Sequence, residues 1–350
     1  MRRPIGYYVH HHGDGHRQRA IAIGQALGHG VTLIGTGLDG RGSGFPVLDL
    51  PDDRLDGSFA GSDGTDRPAA LHYAPVDHEG IRQRTAHLAR WIACERPRLL
   101  VVDVSVEIAM LARLASVPTI YVRLSGKRLD PPHLDAFRGA TALLAPFDEA
   151  LDDNQIPDWI RAKTFFAPGI VRVNVRAQAI EKDVVLVVLG RGGGVSDGNR
   201  WAAAARAVPD RQWRILGPCT VPSSSPPNLT LYGWVDDANA SIAKAGVVVG
   251  AAGDGVVSAV LASDRPFICL PEPRPFDEQV SKARRLEALG AAIISLDWPC
   301  PSDWPRLLEE AAQASGNRSG LSTSSDGPTR VAQWLERLAQ GPSANRSKQG

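Results

Sequence analysis

The chain has 350 residues, with 39 Lys and Arg against 38 Asp and Glu and a formal charge of +1. It lacks the basic excess by which nucleic-acid binding usually shows itself, so no nucleic-acid partner is expected. The length suffices for about two domains of ordinary size, each with its own core. There is no apolar run of about 18 residues and no apolar segment behind Arg2 and Arg3, which leaves at most a peripheral contact with a membrane. Cys94, Cys219, Cys269 and Cys300 are scattered without a CxxC pair. This predicts four reduced, mostly buried thiols in a cytoplasmic protein and neither a zinc knuckle nor a disulfide framework.

In chain order, "IGYYV" reads as a buried strand that enters the turn "HHHGDGH" and then the helix "HRQRAIAIGQAL". "VTLIG", "PRLLVVDVS" and "PTIYVRL" are further strands, "VEIAMLARLAS" is a helix between the last two, and "HEGIRQRTAHLARWIACE" is a helix stopped by Pro97. Residues 35–75 are rich in Gly and Asp and read as irregular loop. The pattern restarts at "DVVLVVLGRGGG", followed by "NRWAAAARAV", "QWRILG", "LTLYGWV", "DANASIAKA", "GVVVGAAGDG", "PFICLP", "DEQVSKARRLEALG" and "AAIISL". Such alternation of strand and helix predicts parallel sheets with crossover helices, an α/β chain of two Rossmann-like domains in tandem. The expected units are residues 1–172 and 181–315, joined near 168–182, with 316–350 an amphipathic helix and a disordered tail. That helix needs a docking surface, for which the N-terminal domain is the expected place.

Four loops carry residues suited to chemistry. In the first, backbone N–H groups at a helix start beside Gly13 and Gly15 favour an anion. Consecutive His10, His11 and His12 on a strand end would point to alternate faces, so they do not readily converge on one ion with His16, and no metal site is expected. The tract is also too short, and too closely tied to a strand, for an affinity tag. His16, with an ordinary pKa of about 6.5, suits proton transfer near neutral pH. In the second, Gly192, Gly193 and Gly194 would bring amides to a diphosphate, with Ser196 adding a hydroxyl; the spacing is not GxGxxG, and a tight strand-to-helix turn explains it as well. The third carries Gly253, Asp254 and Gly255 into a short helix. The fourth, "PEPRPFDEQVSKA", places Asp277, Glu278 and Gln279 at a helix start, either as caps or as donors and acceptors for sugar hydroxyls.

The ordered series "GRGGG", "LYGWVDD", "GAAGDG" and "RPFICLPEPRPFDEQVSKARRLEALGAAI", across residues 184–295, resembles the GT-B glycosyltransferases. Within them it is similar to the branch of the peptidoglycan lipid N-acetylglucosaminyltransferase, with a C-terminal domain like that of glycosyltransferase family 28. "GDGHRQRAIAIGQAL" adds a weaker match in the first half. The resemblance implies two Rossmann-like domains facing a cleft and a nucleotide-sugar donor, usually UDP-linked, on the C-terminal domain. It also implies a hydroxyl acceptor, lipid-linked or a small molecule, on the N-terminal one. Gly192 to Gly194 and Ser196 would then face the diphosphate, Trp234 and Val235 the base, Gly253 and Asp254 the diphosphate and sugar, and Glu278 and Gln279 the sugar hydroxyls. His16, or Asp14 beside it, would be the acceptor-side base near Gly13, Gly15 and Ser125. No cofactor or metal is implied, and a location at the inner face of the membrane would fit. One departure stands out: where the family has a threonine and a ribose-binding glutamate, "GDGVVSAV" places Val256 and Ala259. Loss of such a charged hydrogen bond costs roughly 1.5 to 3 kcal/mol, a factor of about 10 to 150 in donor affinity.

Three readings follow. The first is inverting, metal-independent transfer of a sugar to a hydroxyl. The second is hydrolysis of a nucleotide sugar, since hydrolases of this fold carry "GxGHxxR", close to Gly13, Gly15, His16 and Arg19. The third is a non-catalytic nucleotide-sugar-binding homologue, in keeping with the missing glutamate. In the loop "RLSGKRLDPP", Arg123, Ser125 and Lys127 are candidates for general polar or phosphate contacts on the acceptor.

Overall fold

The computed structural model describes residues 3–11, 14–57, 59, 61–62, 67–170, 179–235, 237–314, 321 and 326–340. The first half is a parallel seven-stranded sheet of β1 (Ile5–Tyr8), β2 (Val31–Gly35), β3 (Val47–Asp49), β4 (Leu99–Asp103), β5 (Thr119–Val122), β6 (Ala142–Ala145) and β7 (Thr164–Phe166), in the order 3-2-1-4-5-6-7. Its helices are α1 (Gly15–Leu27), α2 (Glu79–Glu95), α3 (Val106–Leu114), α4 (Pro131–Gly139) and α5 (Asp158–Lys163). The central strands β1, β2, β4 and β5 are buried along their whole length, as expected where crossover helices cover both faces.

The second half repeats the plan with a parallel six-stranded sheet of β8 (Glu181–Val188), β9 (Gln212–Leu216), β10 (Leu229–Gly233), β11 (Ala245–Gly250), β12 (Phe267–Cys269) and β13 (Ile293–Ile294), in the order 10-9-8-11-12-13. Its helices are α6 (Gly198–Ala207), α7 (Asn239–Lys244), α8 (Asp254–Ser263), α9 (Glu278–Ala288) and α10 (Trp304–Ala314). Both sheets reverse their winding beside the first strand, with β1 between β2 and β4 and β8 between β9 and β11. Each therefore opens a crevice at the carboxyl ends of adjacent strands, where α/β folds bind ligands.

The last helix, α11 (Gly327–Ala339), docks on the first half. Val331, Ala332 and Leu335 join the core cluster of Ile21, Ile23 and Leu27 from α1, and Trp334 stacks on Phe165 with ring centroids 4.6 Å apart. An amphipathic helix that would not be stable alone thus buries its apolar stripe on a preformed face. The tail beyond Gln340 lies outside the described residues.

Several expectations need correction. The interval 35–75 is not all irregular, because β3 joins the sheet beside β2. The sequence patterns missed α4, β6, α5, β7 and α10, whose apolar runs are short or proline-led. The thiols are not mostly buried: Cys94 and Cys300 are exposed, Cys219 is half-buried and only Cys269 is inside. No helix is long and apolar enough to cross a membrane among the described residues.

Candidate functional site

The two crevices face one another across a cleft of about 1500 Å³ lined from both halves. On the first side, β1 and β4 pair in register, Tyr8 opposite Val102, so the helix after β1 and the end of β4 meet. His16, in the first turn of α1, thereby reaches Asp103, the last residue of β4, with Nδ1 2.9 Å from Oδ1. Asp103 is fully buried and also accepts from Arg19 Nε at 3.0 Å and from the Tyr7 hydroxyl at 3.3 Å. Burial pushes the Asp103 carboxyl up, but Arg19 and His16 outweigh it and hold it well below the usual carboxylate range. An ionised carboxylate only accepts, so it takes the Nδ1 proton, although Arg19 also lies 3.3 Å from that nitrogen. The lone pair is then on Nε2, and His16 lines the cleft. Asp103 went unrecognised in the sequence because it ends an ordinary apolar strand, 87 residues from its partner.

Asp14, the other acceptor-side candidate, is placed differently. It binds Arg17 Nε at 2.8 Å and Gln18 Nε2 at 2.9 Å, with Arg41 at 3.4 Å. Burial raises its pKa, yet the hydrogen bonds from Arg17 and Gln18 outweigh this and lower it, which makes it a weaker base. Gly15 opens α1 and lines the cleft. His12 and Gly13 lie outside the described residues. His10 and His11 follow the end of β1 and do not alternate faces: their rings stack 4.6 Å apart, and both line the cleft. Ser125 is buried, with a hydroxyl that has no protein partner. Arg123 is also buried, in a two-pronged pair with Asp152 at 2.8 Å, and so is structural rather than available to an acceptor. Lys127 is exposed and pairs with Asp277 at 2.7 Å.

On the second side, Trp234 and Val235 line the cleft, the indole being 41% exposed. Gly192 lines it too, but the space beside Gly192 and Gly193 is already filled. A Cβ at Gly192 would meet the Arg274 guanidinium at 2.7 Å, and one at Gly193 would meet the Glu272 carboxylate at 2.1 Å. Arg274 donates to the Gly192 carbonyl and pairs with Glu272 at 2.6 Å, and both line the cleft beside the glycine loop. Gly194 takes a φ of 81°, a conformation that suits glycine. Ser196 turns away: its Oγ accepts from Trp201 Nε1 at 2.9 Å, and it is not among the cleft residues.

Gly253 caps the start of α8 and lines the cleft. Asp254 also lines it, but its carboxylate is held by Lys282 and by Arg19 Nη1, the latter at 3.2 Å. Burial raises its pKa, and Lys282 and Arg19 outweigh this and lower it. Its charge thus ties α8 to α1 across the cleft and is not left free for a sugar. Glu278 accepts from Arg128 at 3.0 Å, and Gln279 Oε1 accepts from the Glu272 N–H at 2.8 Å; both line the cleft. Val256 lines it as well, whereas Ala259 sits in the core at 1% exposure.

The cleft wall also gathers residues that sequence reasoning did not single out. Arg128 stands 4.8 Å from the Phe276 ring centre, and its Nη1 lies 3.2 Å from His133 Nε2. His72, Asp130 and His133 form a group whose potential metal-ligand atoms lie within 4.8 Å of one another, where no metal site was expected. Burial lowers His133 to about 4, partly opposed by its hydrogen bond to Asp130, so its imidazole is neutral at pH 7. These residues lie 58 and 61 positions apart from His72 in the chain, too far for a spacing motif to show.

Comparison with known proteins agrees with this architecture. No protein-family model matches the chain. The solved structures it resembles include the calicheamicin glycosyltransferase CalG4, with a TM-score of 0.66 at 17% identity over 98% of this chain and 100% of that one. The spinosyn forosaminyltransferase SpnP has a TM-score of 0.72 at 15% identity, covering 97% and 100%. MurG of Acinetobacter baumannii has a TM-score of 0.65 at 16% identity, covering 95% and 99%. The fold is that of the GT-B glycosyltransferases. In particular the chain resembles the UDP-N-acetylglucosamine--N-acetylmuramyl-(pentapeptide) pyrophosphoryl-undecaprenol N-acetylglucosamine transferase of Symbiobacterium thermophilum, at 28% identity over 274 residues, 71% of each chain.

Proposed function

We propose that the chain moves a sugar from a nucleotide-diphosphate donor, UDP-linked, to a hydroxyl acceptor with inversion at the anomeric carbon. The observation that carries this reading is the His16–Asp103 pair at the mouth of the first crevice, facing the second. The acceptor oxygen attacks the anomeric carbon from the side opposite the diphosphate, His16 Nε2 takes the hydroxyl proton, and the sugar–phosphate bond breaks to release the nucleoside diphosphate. Asp103 holds the ring and stabilises the imidazolium that forms. Negative charge on the leaving group is met by the N-terminus of α8 at Gly253 and by Arg274, so this step needs no metal at the diphosphate. In this reading Trp234 and Val235 would meet the base, and Gln279 and Glu278 the sugar hydroxyls, all four being residues of the cleft wall. Residues 1–172 would carry the acceptor and 181–315 the donor, and the acceptor would be lipid-linked or a small molecule.

The test begins with donor binding, by calorimetry or thermal shift against UDP-, GDP-, dTDP- and CDP-sugars. Turnover is then followed with and without acceptors. His16→Ala is expected to keep donor binding and lose transfer; unchanged turnover would sink the assignment. Rapid stoichiometric release of free sugar without an acceptor would instead identify a hydrolase, and donor binding without any turnover a non-catalytic homologue.

A further inference from the structure

The acceptor-side wall carries a second group of titratable side chains, separate from His16 and Asp103. His72 Nε2 bonds Asp130 Oδ2, and His133 Nδ1 lies 2.5 Å from Asp130 Oδ1, so two imidazoles converge on one carboxylate. We propose that His72, Asp130 and His133 form a binding site for one divalent first-row transition metal ion, with zinc the best-suited member. Two imidazole nitrogens and a carboxylate oxygen are the donor set that such ions favour over magnesium or calcium, and three protein ligands leave a coordination position open. His72 and His133 both line the cleft, so that position faces the cavity and not the core.

The arrangement is held in place before any ion arrives. Asp130 and His133 are one turn apart at the start of α4, where Asp130 is the N-cap. An N-cap carboxylate ordinarily accepts from the second or third helical N–H. Here the first two helical residues are Pro131 and Pro132, which have no N–H, and Asp130 makes no capping bond. Its carboxylate turns to the histidines instead. His72 comes from a distant loop, and that loop is pinned to α3 by Glu107, whose Oε1 accepts from the N–H groups of His72 at 2.8 Å and Tyr73 at 2.9 Å. Such second-layer contacts orient ligands without touching the ion. Arg128 sets what loading requires. By donating to His133 Nε2 it places the imidazole proton on Nδ1, so loading moves that proton to Nε2 and frees the Nδ1 lone pair for the ion. Arg128 then turns from Nε2 to Glu278, which it already holds at 3.0 Å.

The site is independent of the transfer chemistry, and its test needs no turnover. The full chain, freed of metal with a chelator, is titrated with Zn²⁺ by calorimetry and with Co²⁺ by visible absorption. The expected result is one ion per chain at micromolar Kd or tighter and Co²⁺ bands of a nitrogen–oxygen site. His72→Ala and Asp130→Asn should each weaken binding by at least about tenfold. Both side chains are partly exposed, so these variants should keep the native melting transition, whereas His133 is buried and its variant is the less informative one. A His10→Ala/His11→Ala double variant should bind as the parent does. Absence of uptake by the parent, uptake unaffected by His72→Ala and Asp130→Asn, or uptake abolished by the double variant would each overturn the proposal.

Discussion

Asp103→Asn tests the proposed base most directly, because it keeps the shape of the side chain and removes its charge. In the parent, Asp103 can only accept, which puts the His16 proton on Nδ1 and the lone pair on Nε2. An asparagine amide can donate to Nδ1 and so favour the opposite tautomer, with the proton on the nitrogen that must receive one. General-base assistance is worth about 10² to 10⁴ in rate, so kcat should fall by that factor, equivalent to roughly 3 to 5.5 kcal/mol. Arg19 keeps its contact with Asp254 at 3.2 Å, so the buried guanidinium is not stranded and the variant should fold. Its stability should still change with pH in a defined way. The folded pKa of Asp103 is depressed below the unfolded value of about 3.9, so its stabilisation is complete above that value and is lost as pH falls towards the folded pKa. The variant should therefore melt lower than the parent at neutral pH, and the difference should shrink as the solution is acidified below about pH 4. Initial rates at saturating donor, donor Kd by calorimetry and melting curves from neutral to acid pH measure the three effects. Transfer within about threefold of the parent, in a folded protein with unchanged donor affinity, would refute the role of Asp103 as orienter of His16.

Other substitutions probe the two faces and the core. Gly126 has a φ of 102°, and a Cβ there would lie 2.4 Å from the Phe276 carbonyl oxygen in the second half. Gly126→Ala should strain the loop by about 1 to 3 kcal/mol and open the cleft, read as a larger radius of gyration and a higher donor KM. Ala259→Glu, which puts a glutamate where the resemblance implies a ribose-binding one, should not tighten donor binding, because position 259 is in the core. It should instead cost several kcal/mol, visible as a lower Tm, unless the carboxyl is taken up protonated. Leu335→Ala, at the fully buried centre of the α11 contact, should destabilise the chain by about 2 to 5 kcal/mol in denaturant titration.

Much of the architecture is legible in the residues. Buried apolar runs such as "LLVVD" and "VVVG" alternate with helical patterns, and each strand of that kind must pair in a parallel sheet covered by helices. Elements with little periodicity of their own are not legible: β3 has three residues, and α4 opens with two prolines. Such segments take their structure from neighbouring strands and helices, a tertiary effect that local propensity does not record.

The site divides in the same way. The sequence by itself determined the glycine turns after β8 and β11, the placement of His16 at a helix start, and the series of motifs in the second half, because those depend on neighbours in the chain. Only the tertiary structure decided what each charged group does. Parallel pairing of β1 with β4 set His16 on Asp103, and the approach of the two halves committed Asp254 to Arg19 and Lys282 and Glu278 to Arg128. Burial of Ala259 moved the absent glutamate from a question of chemistry to one of packing. Chain spacing defines side-chain direction over one or two turns, whereas the partner that fixes a proton or a charge comes from a strand or helix far along the chain.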